Sequence, residues 1–136
     1  KVDVRIKLYI NKVSLGAGKS RNLGIEKSNG TYVAFIDADD LWEKSKIELQ
    51  IKFMKTNNYL ITHCSYFVIN NNNKVLSNRI ARDFNHLKDL LKSCDIGLSS
   101  VMVKKDILYN ECLFPELRTK EDFVLWLQIL KKKNSY

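Results

Sequence analysis

The sequence is poor in the residues that interrupt or cross-link a chain. In 136 residues it has one proline, Pro115, five glycines, three cysteines and two histidines. No stretch has the composition of a linker, and no internal repeat is visible. The cysteines, Cys64, Cys94 and Cys112, are odd in number and widely spaced. Without a C-x-x-C pair, a zinc ribbon or a thioredoxin-type site is excluded. Cys94 falls on an apolar helical stripe and reads as a small buried hydrophobe. The cysteine usage implies a reducing, cytoplasmic setting. No apolar run reaches the ~20 residues that a helix needs to span a bilayer. The opening Lys-Val-Asp-Val-Arg lacks the apolar core of a signal peptide, so a soluble chain is expected. His63 and His86 stand alone and read as structural or surface residues rather than ligands.

Acidic residues are outnumbered, 15 against 23 Lys and Arg, giving a formal charge of +8 and a pI near 9.4. That balance favours anionic partners: nucleic acid, nucleotide phosphates or an acidic membrane surface. The positive charge is scattered apart from Lys131-Lys132-Lys133, which reads as a solvated face. No basic motif interleaved with aromatics supports a nucleic-acid module. The hydrophobic content of 45% argues against disorder and suits one domain.

Residues 4 to 10 alternate and are rich in β-branched side chains, which predicts a strand. A glycine-bearing turn over residues 14 to 18 leads into a helix from about 19 to 27, ended by Ser28-Asn29-Gly30. Residues 32 to 36, Tyr-Val-Ala-Phe-Ile, form a short continuous apolar run, the pattern of a strand buried on both faces of a parallel sheet. A helix is predicted from 41 or 42 to about 55, with Ile47, Ile51 and Met54 on its inner side. Strands are expected over 60 to 69, near 75 to 76 and over 99 to 103. Phe84, Leu87, Leu90, Leu91 and Cys94 predict a helix over 83 to 94, and Phe123, Trp126, Leu127 and Leu130 another over about 120 to 132. The order β-α-β-α-β followed by a mixed second half indicates an α/β fold, in which ligands bind beyond the carboxyl ends of strands.

The acidic run Asp37-Ala38-Asp39-Asp40 occupies one such end. Three carboxylates in four residues repel one another unless something positive joins them. Mg²⁺ and Mn²⁺ prefer carboxylate oxygen and share their coordination sphere with substrate phosphates. Capping of the following helix by Asp40 and Glu43 explains Asp40 but not Asp37 or Asp39. A second acidic pair, Glu121-Asp122, opens the last helix, where Thr119-x-x-Asp122 has the form of a capping box. Arg21 and Asn22 lie near the start of the first helix, a place that attracts phosphate. Gly18-Lys19-Ser20 matches the end of a Walker loop, but Val13 stands where its first glycine belongs. Trp42 and Trp126, beside the two acidic clusters, are explained by core packing.

Taken together, these segments resemble family 2 glycosyltransferases. Arg21-Asn22-Leu23-Gly24-Ile25, then Gly30-Thr31-Tyr32-Val33-Ala34-Phe35-Ile36-Asp37-Ala38-Asp39-Asp40, resembles the family's R-N-x-G-I…G-x-Y-[IV]-x-F-[LI]-D-x-D-D signature. Trp42-x-x-x-Lys46-x-x-x-Gln50 continues it, Ser99 to Lys105 resembles the strand before the acceptor region, and Glu121 to Leu127 resembles the E-D-x-x-L-W-L helix. The resemblance implies a GT-A fold, with residues 1–58 in the nucleotide-sugar-binding part and 59–136 on the acceptor side. It implies transfer from a nucleotide-diphosphate sugar to an acceptor hydroxyl with inversion, in surface polysaccharide or glycan synthesis. Asp37 would meet the ribose or metal, Asp39 would ligate Mg²⁺ or Mn²⁺, and Arg21 would lie on the nucleotide side. Asp122 would be the general base, with Glu121 as its neighbour. The implied partners are the nucleotide-sugar donor and a saccharide or lipid-linked acceptor, with no nucleic acid. The implied place is the cytoplasm, at the inner face of the membrane through peripheral association. The family's opening V-S-[VI]-I-[IV]-P-x-[YF]-N strand and D-[DG]-[SG] segment are not found here, so a partial domain, with a sheet edge open to self-association, is expected. The alternatives are a P-loop-like nucleotide hydrolase and a partial, inactive nucleotide-binding domain.

Overall fold

A computed structural model describes residues 3–83, 87–93, 95–109 and 112–133. It is a mixed α/β arrangement. Helix α1 spans Gly16–Lys27, strand β1 Tyr32–Ala34, helix α2 Lys46–Asn57 and strand β2 Ile61–Thr62. Strands β3 (Tyr66–Ile69) and β4 (Val75–Arg79) form a separate hairpin. Then come helix α3 (Leu87–Lys92), a 3₁₀ turn at Leu98–Ser100, strand β5 (Met102–Lys104), a second 3₁₀ turn at Lys105–Ile107 and helix α4 (Glu121–Lys133).

The central sheet has the order β1-β5-β2, and both pairings are antiparallel, with Val33 opposite Val103 and Thr62 opposite Met102. The apolar run at 32 to 36, whose pattern resembles a strand of a parallel sheet, thus pairs antiparallel within the mixed α/β fold. The two outer strands run in the same direction without touching, because β5 lies between them. Periodicity reports burial, and a strand can be apolar throughout for either direction of pairing. The run is also shorter as a strand than its apolar length suggests. Phe35 is buried just past β1, and Ile36 already faces solvent.

The core gathers Ile25 of α1, Phe35, Leu90 of α3, Val101 and Val103 around β5, Phe114, and Leu125, Trp126, Ile129 and Leu130 of α4. Phe35 and Phe114 meet edge to face at 5.3 Å, and Trp126 packs 6.3 Å from Phe35 and 6.5 Å from Phe114. The α4 stripe is turned from the expected one. Leu125 and Ile129 join Trp126 and Leu130 inside, whereas Phe123 and Leu127 are half-buried.

Four other expectations are revised. Residues 4 to 10 form no strand: Val4, Ile6, Leu8 and Ile10 are exposed, and Ile6 N–H turns back to the Asp3 carbonyl. Alternation specifies a face, but a ladder needs a partner, and none among the described residues supplies it. Residues 60 to 69 divide into β2 and β3. Ser99 and Ser100, expected to open a strand, belong instead to the 3₁₀ turn Leu98–Ser100 before β5. Helix α2 starts four or five residues late and buries Lys46, Gln50 and Met54, with Ile47 and Ile51 only half-buried. Of the helix expected over 83 to 94, α3 is described, while Phe84, His86 and Cys94 lie outside the described residues. Among the described residues no helix is long and apolar enough to cross a membrane.

Candidate active site

The site is built where α1, the acidic turn and the start of α4 converge. The convergence depends on Gly18. A Cβ there would stand 2.9 Å from the Pro115 carbonyl oxygen and 3.6 Å from Glu121 Cγ, so only glycine lets α1 cross this closely. Asn22 then clamps the crossing segment. Its side chain donates to the Phe114 carbonyl at 2.9 Å and accepts from the Phe114 amide at 3.0 Å.

With α1 so placed, Arg21 is aimed at two acids from different parts of the chain. Its Nη1 donates to Glu121 Oε1 at 2.6 Å and its Nη2 to Asp37 Oδ1 at 2.9 Å. The guanidinium also lies 5.5 Å from the centre of the Phe114 ring, so one flank is apolar and water is partly excluded. The Glu121 side chain is only 12% exposed, against 43% for Asp37. Glu121 is therefore a held residue, committed to Arg21, and Asp37 keeps a solvent-facing side.

Asp37 opens a tight turn closed by the Asp40 amide donating to its carbonyl at 3.1 Å. Asp39 sits at the tip, exposed, and takes part in no ion pair or side-chain hydrogen bond among the described residues. Asp40 does not cap α2, whose first residue, Lys46, lies well beyond it in the chain. None of the three carboxylates is thus explained by helix capping. Glu121 and Asp122 are the first two residues of α4, after Lys120 at φ 62°. Thr119 is two residues before the helix, so the expected capping box does not form. Asp122 is half-buried, and its Oδ1 accepts from the Phe123 amide at 2.7 Å.

The Walker reading loses its residues to other work. Gly18 lies inside α1 at the crossing, and Lys19 pairs with Glu116 at 2.9 Å. Ser20 Oγ donates to the Gly16 carbonyl at 2.8 Å.

Among the described residues, no three His, Cys, Asp or Glu side chains gather into a ready-made metal cage. Two hard oxygen donors, Asp37 and Asp39, are nonetheless two residues apart on one exposed turn. That donor set suits a cation that takes one or two carboxylates and completes its sphere with phosphate oxygens and water. The sequence reading missed Phe114 and Ser99. Phe114 carries no polar group to flag it. Ser99 accepts from the Asp37 amide at 2.9 Å, a contact that no local pattern encodes.

Residues 2–107 match the family model described as glycosyl transferase family 2. The chain belongs to glycosyl transferase family 2. The match covers the Arg21 and Asp37–Asp40 region, and Glu121-Asp122 lies beyond it. Several curated family relatives align with nearly the whole chain. A glycosyltransferase of Rickettsia conorii is 41% identical over 98% of this chain and 22% of its own length. WfgD of Escherichia coli, named UDP-Glc:alpha-D-GlcNAc-diphosphoundecaprenol beta-1,3-glucosyltransferase, is 39% identical over 97% of this chain and 51% of its own. TuaG of Bacillus subtilis, a putative teichuronic acid biosynthesis glycosyltransferase, is 33% identical over 97% and 52%. The chain thus spans between a fifth and about half the length of these family 2 relatives.

Proposed function

We propose that these residues form the catalytic centre of an inverting, divalent-cation-dependent glycosyltransferase. It moves a sugar from a nucleotide diphosphate to a lipid-linked or saccharide acceptor in surface-glycan synthesis. The observation that carries this reading is the Arg21 bridge. It joins Asp37 and Glu121, 16 and 100 residues away in sequence, and so brings the two acidic clusters to one place.

Asp37 and Asp39 are the residues that would hold Mg²⁺ or Mn²⁺, with phosphate oxygens of the donor completing its sphere. When bound, the cation neutralises charge on the departing nucleotide. Arg21 adds positive charge beside Asp37 and lines the nucleotide side. Asp122 accepts the proton of the acceptor hydroxyl as its oxygen bonds to the anomeric carbon and the bond to the phosphate oxygen breaks. Glu121 fixes Arg21 and the start of α4, so Asp122 is presented on a rigid backbone. The diphosphoundecaprenol-linked acceptor in the name of WfgD supports an acceptor of the same class.

Calorimetric titration of a panel of nucleotide sugars, with and without Mn²⁺, tests the proposal. Binding is expected to require the cation and to be lost in Asp39→Ala. Binding that ignores both would overturn it.

A further inference from the structure

One serine holds both ends of the acidic loop. The Asp37 amide donates to Ser99 Oγ at 2.9 Å, and the Trp42 indole N–H donates to the Ser99 carbonyl at 2.7 Å. Between these anchors stand Asp37, Asp39 and Asp40, whose mutual repulsion favours an opened loop. The anchor itself is stiff. Leu98, Ser100 and Val101 around it are buried, and Ser100 Oγ donates to the Gly97 carbonyl at 2.6 Å. Gln50 of α2 donates to the Ser100 carbonyl at 3.0 Å and accepts from Lys46 at 2.8 Å. The Lys46 ammonium lies 4.4 Å from the centre of the Trp42 ring, which fixes the indole from its other side.

We propose that Ser99 is a positioning residue of the donor site: it holds the 37–42 loop closed so that Asp37 and Asp39 are presented together to the cation and diphosphate. The inference rests on the donor-site reading above. A loop ordered before binding spares the complex the entropy of ordering it. Removing the hydroxyl leaves every charge in place, so any effect on affinity comes from geometry.

The test uses Ser99→Ala, Ser99→Thr and, as a comparison, Ser28→Ala, which removes a hydroxyl bonded to the main chain elsewhere, donating to the Ile25 carbonyl at 2.7 Å. Two quantities are measured: hydrogen exchange at the Asp37 amide by NMR, and affinity for UDP in the presence of Mn²⁺ by calorimetry. In Ser99→Ala, Asp37 exchange is expected to rise about tenfold and affinity to fall about tenfold, the scale of one lost hydrogen bond. Ser99→Thr should restore both, and Ser28→Ala should move neither. Unchanged exchange or unchanged affinity in Ser99→Ala overturns the assignment of Ser99 alone. Failure of the wild-type chain to bind UDP with Mn²⁺ overturns the donor-site reading and this inference with it.

Discussion

Arg21 and Glu121 are 100 residues apart in the chain and 2.6 Å apart in the fold, and the same guanidinium reaches Asp37 at 2.9 Å. The pair is partly buried, so truncating the arginine leaves a desolvated carboxylate with no counter-charge. Arg21→Met is therefore expected to cost about 2 kcal/mol. In a double-mutant cycle with Glu121→Gln, denaturant unfolding should give a coupling energy well above zero. Simple additivity of the two losses would mean the bridge contributes nothing.

Asp39 contrasts with this pair, since it is exposed and unpaired among the described residues. Asp39→Asn should shift stability by no more than about 0.5 kcal/mol, with a slight gain as repulsion falls. Mn²⁺-dependent nucleotide-sugar binding should nevertheless disappear. Thermal unfolding and calorimetry on the same sample separate the two effects, and intact binding would remove Asp39 from the ligand set.

Asp122→Asn keeps the shape at the start of α4 and removes the carboxylate proposed as proton acceptor. In an active enzyme of full family length, transfer should fall by roughly 10²–10⁴-fold while donor affinity is unchanged. Steady-state kinetics beside a donor titration reads both, and near-normal turnover would reassign the base.

The glycines of α1 make an internal comparison. Gly18→Ala drives a Cβ to 2.9 Å from a backbone oxygen, whereas Gly24 has nothing within 4 Å of the same position. Gly24→Ala should stabilise by about 0.5–1 kcal/mol through helix propensity. Gly18→Ala should destabilise by about 1–3 kcal/mol despite the same gain. Urea midpoints of the two variants should move in opposite directions.

Burial lowers the His63 imidazole below its ordinary 6.5, against the opposing pull of its bond to the Arg82 carbonyl and the nearby Asp83 carboxylate. The unfolded chain then binds more protons around that pH than the folded one. Stability should rise as pH increases through about 6.5 and fall as pH drops below it. Urea unfolding between pH 5 and 7.5 should show this slope, and His63→Gln should flatten it.

The candidate residues were legible in the sequence itself. Asp37-Ala38-Asp39-Asp40 announces a charge that needs a partner, because clustered carboxylates are costly wherever they fold. Arg21-Asn22 and Glu121-Asp122 follow in an order that marks the family. The less legible parts are those whose signal is not local. Residues 4 to 10 have a strand's alternation without a ladder among the described residues. The Asp40 and Thr119 caps read well as spacing, but each helix starts at a different residue than the spacing implies.

The sequence by itself determined which side chains are available: a carboxylate cluster after an apolar run, an arginine near the start of the first helix, and an acidic pair at a helix start. Those depend on residue type and short spacing. Only the tertiary structure decided that Arg21 joins the two acidic clusters, that Glu121 is held by Arg21 while Asp122 stays half-buried beside it, and that Ser99 tethers the acidic loop. Each is a meeting of segments far apart in sequence, made possible by the close crossing at Gly18 and by β5 lying between β1 and β2.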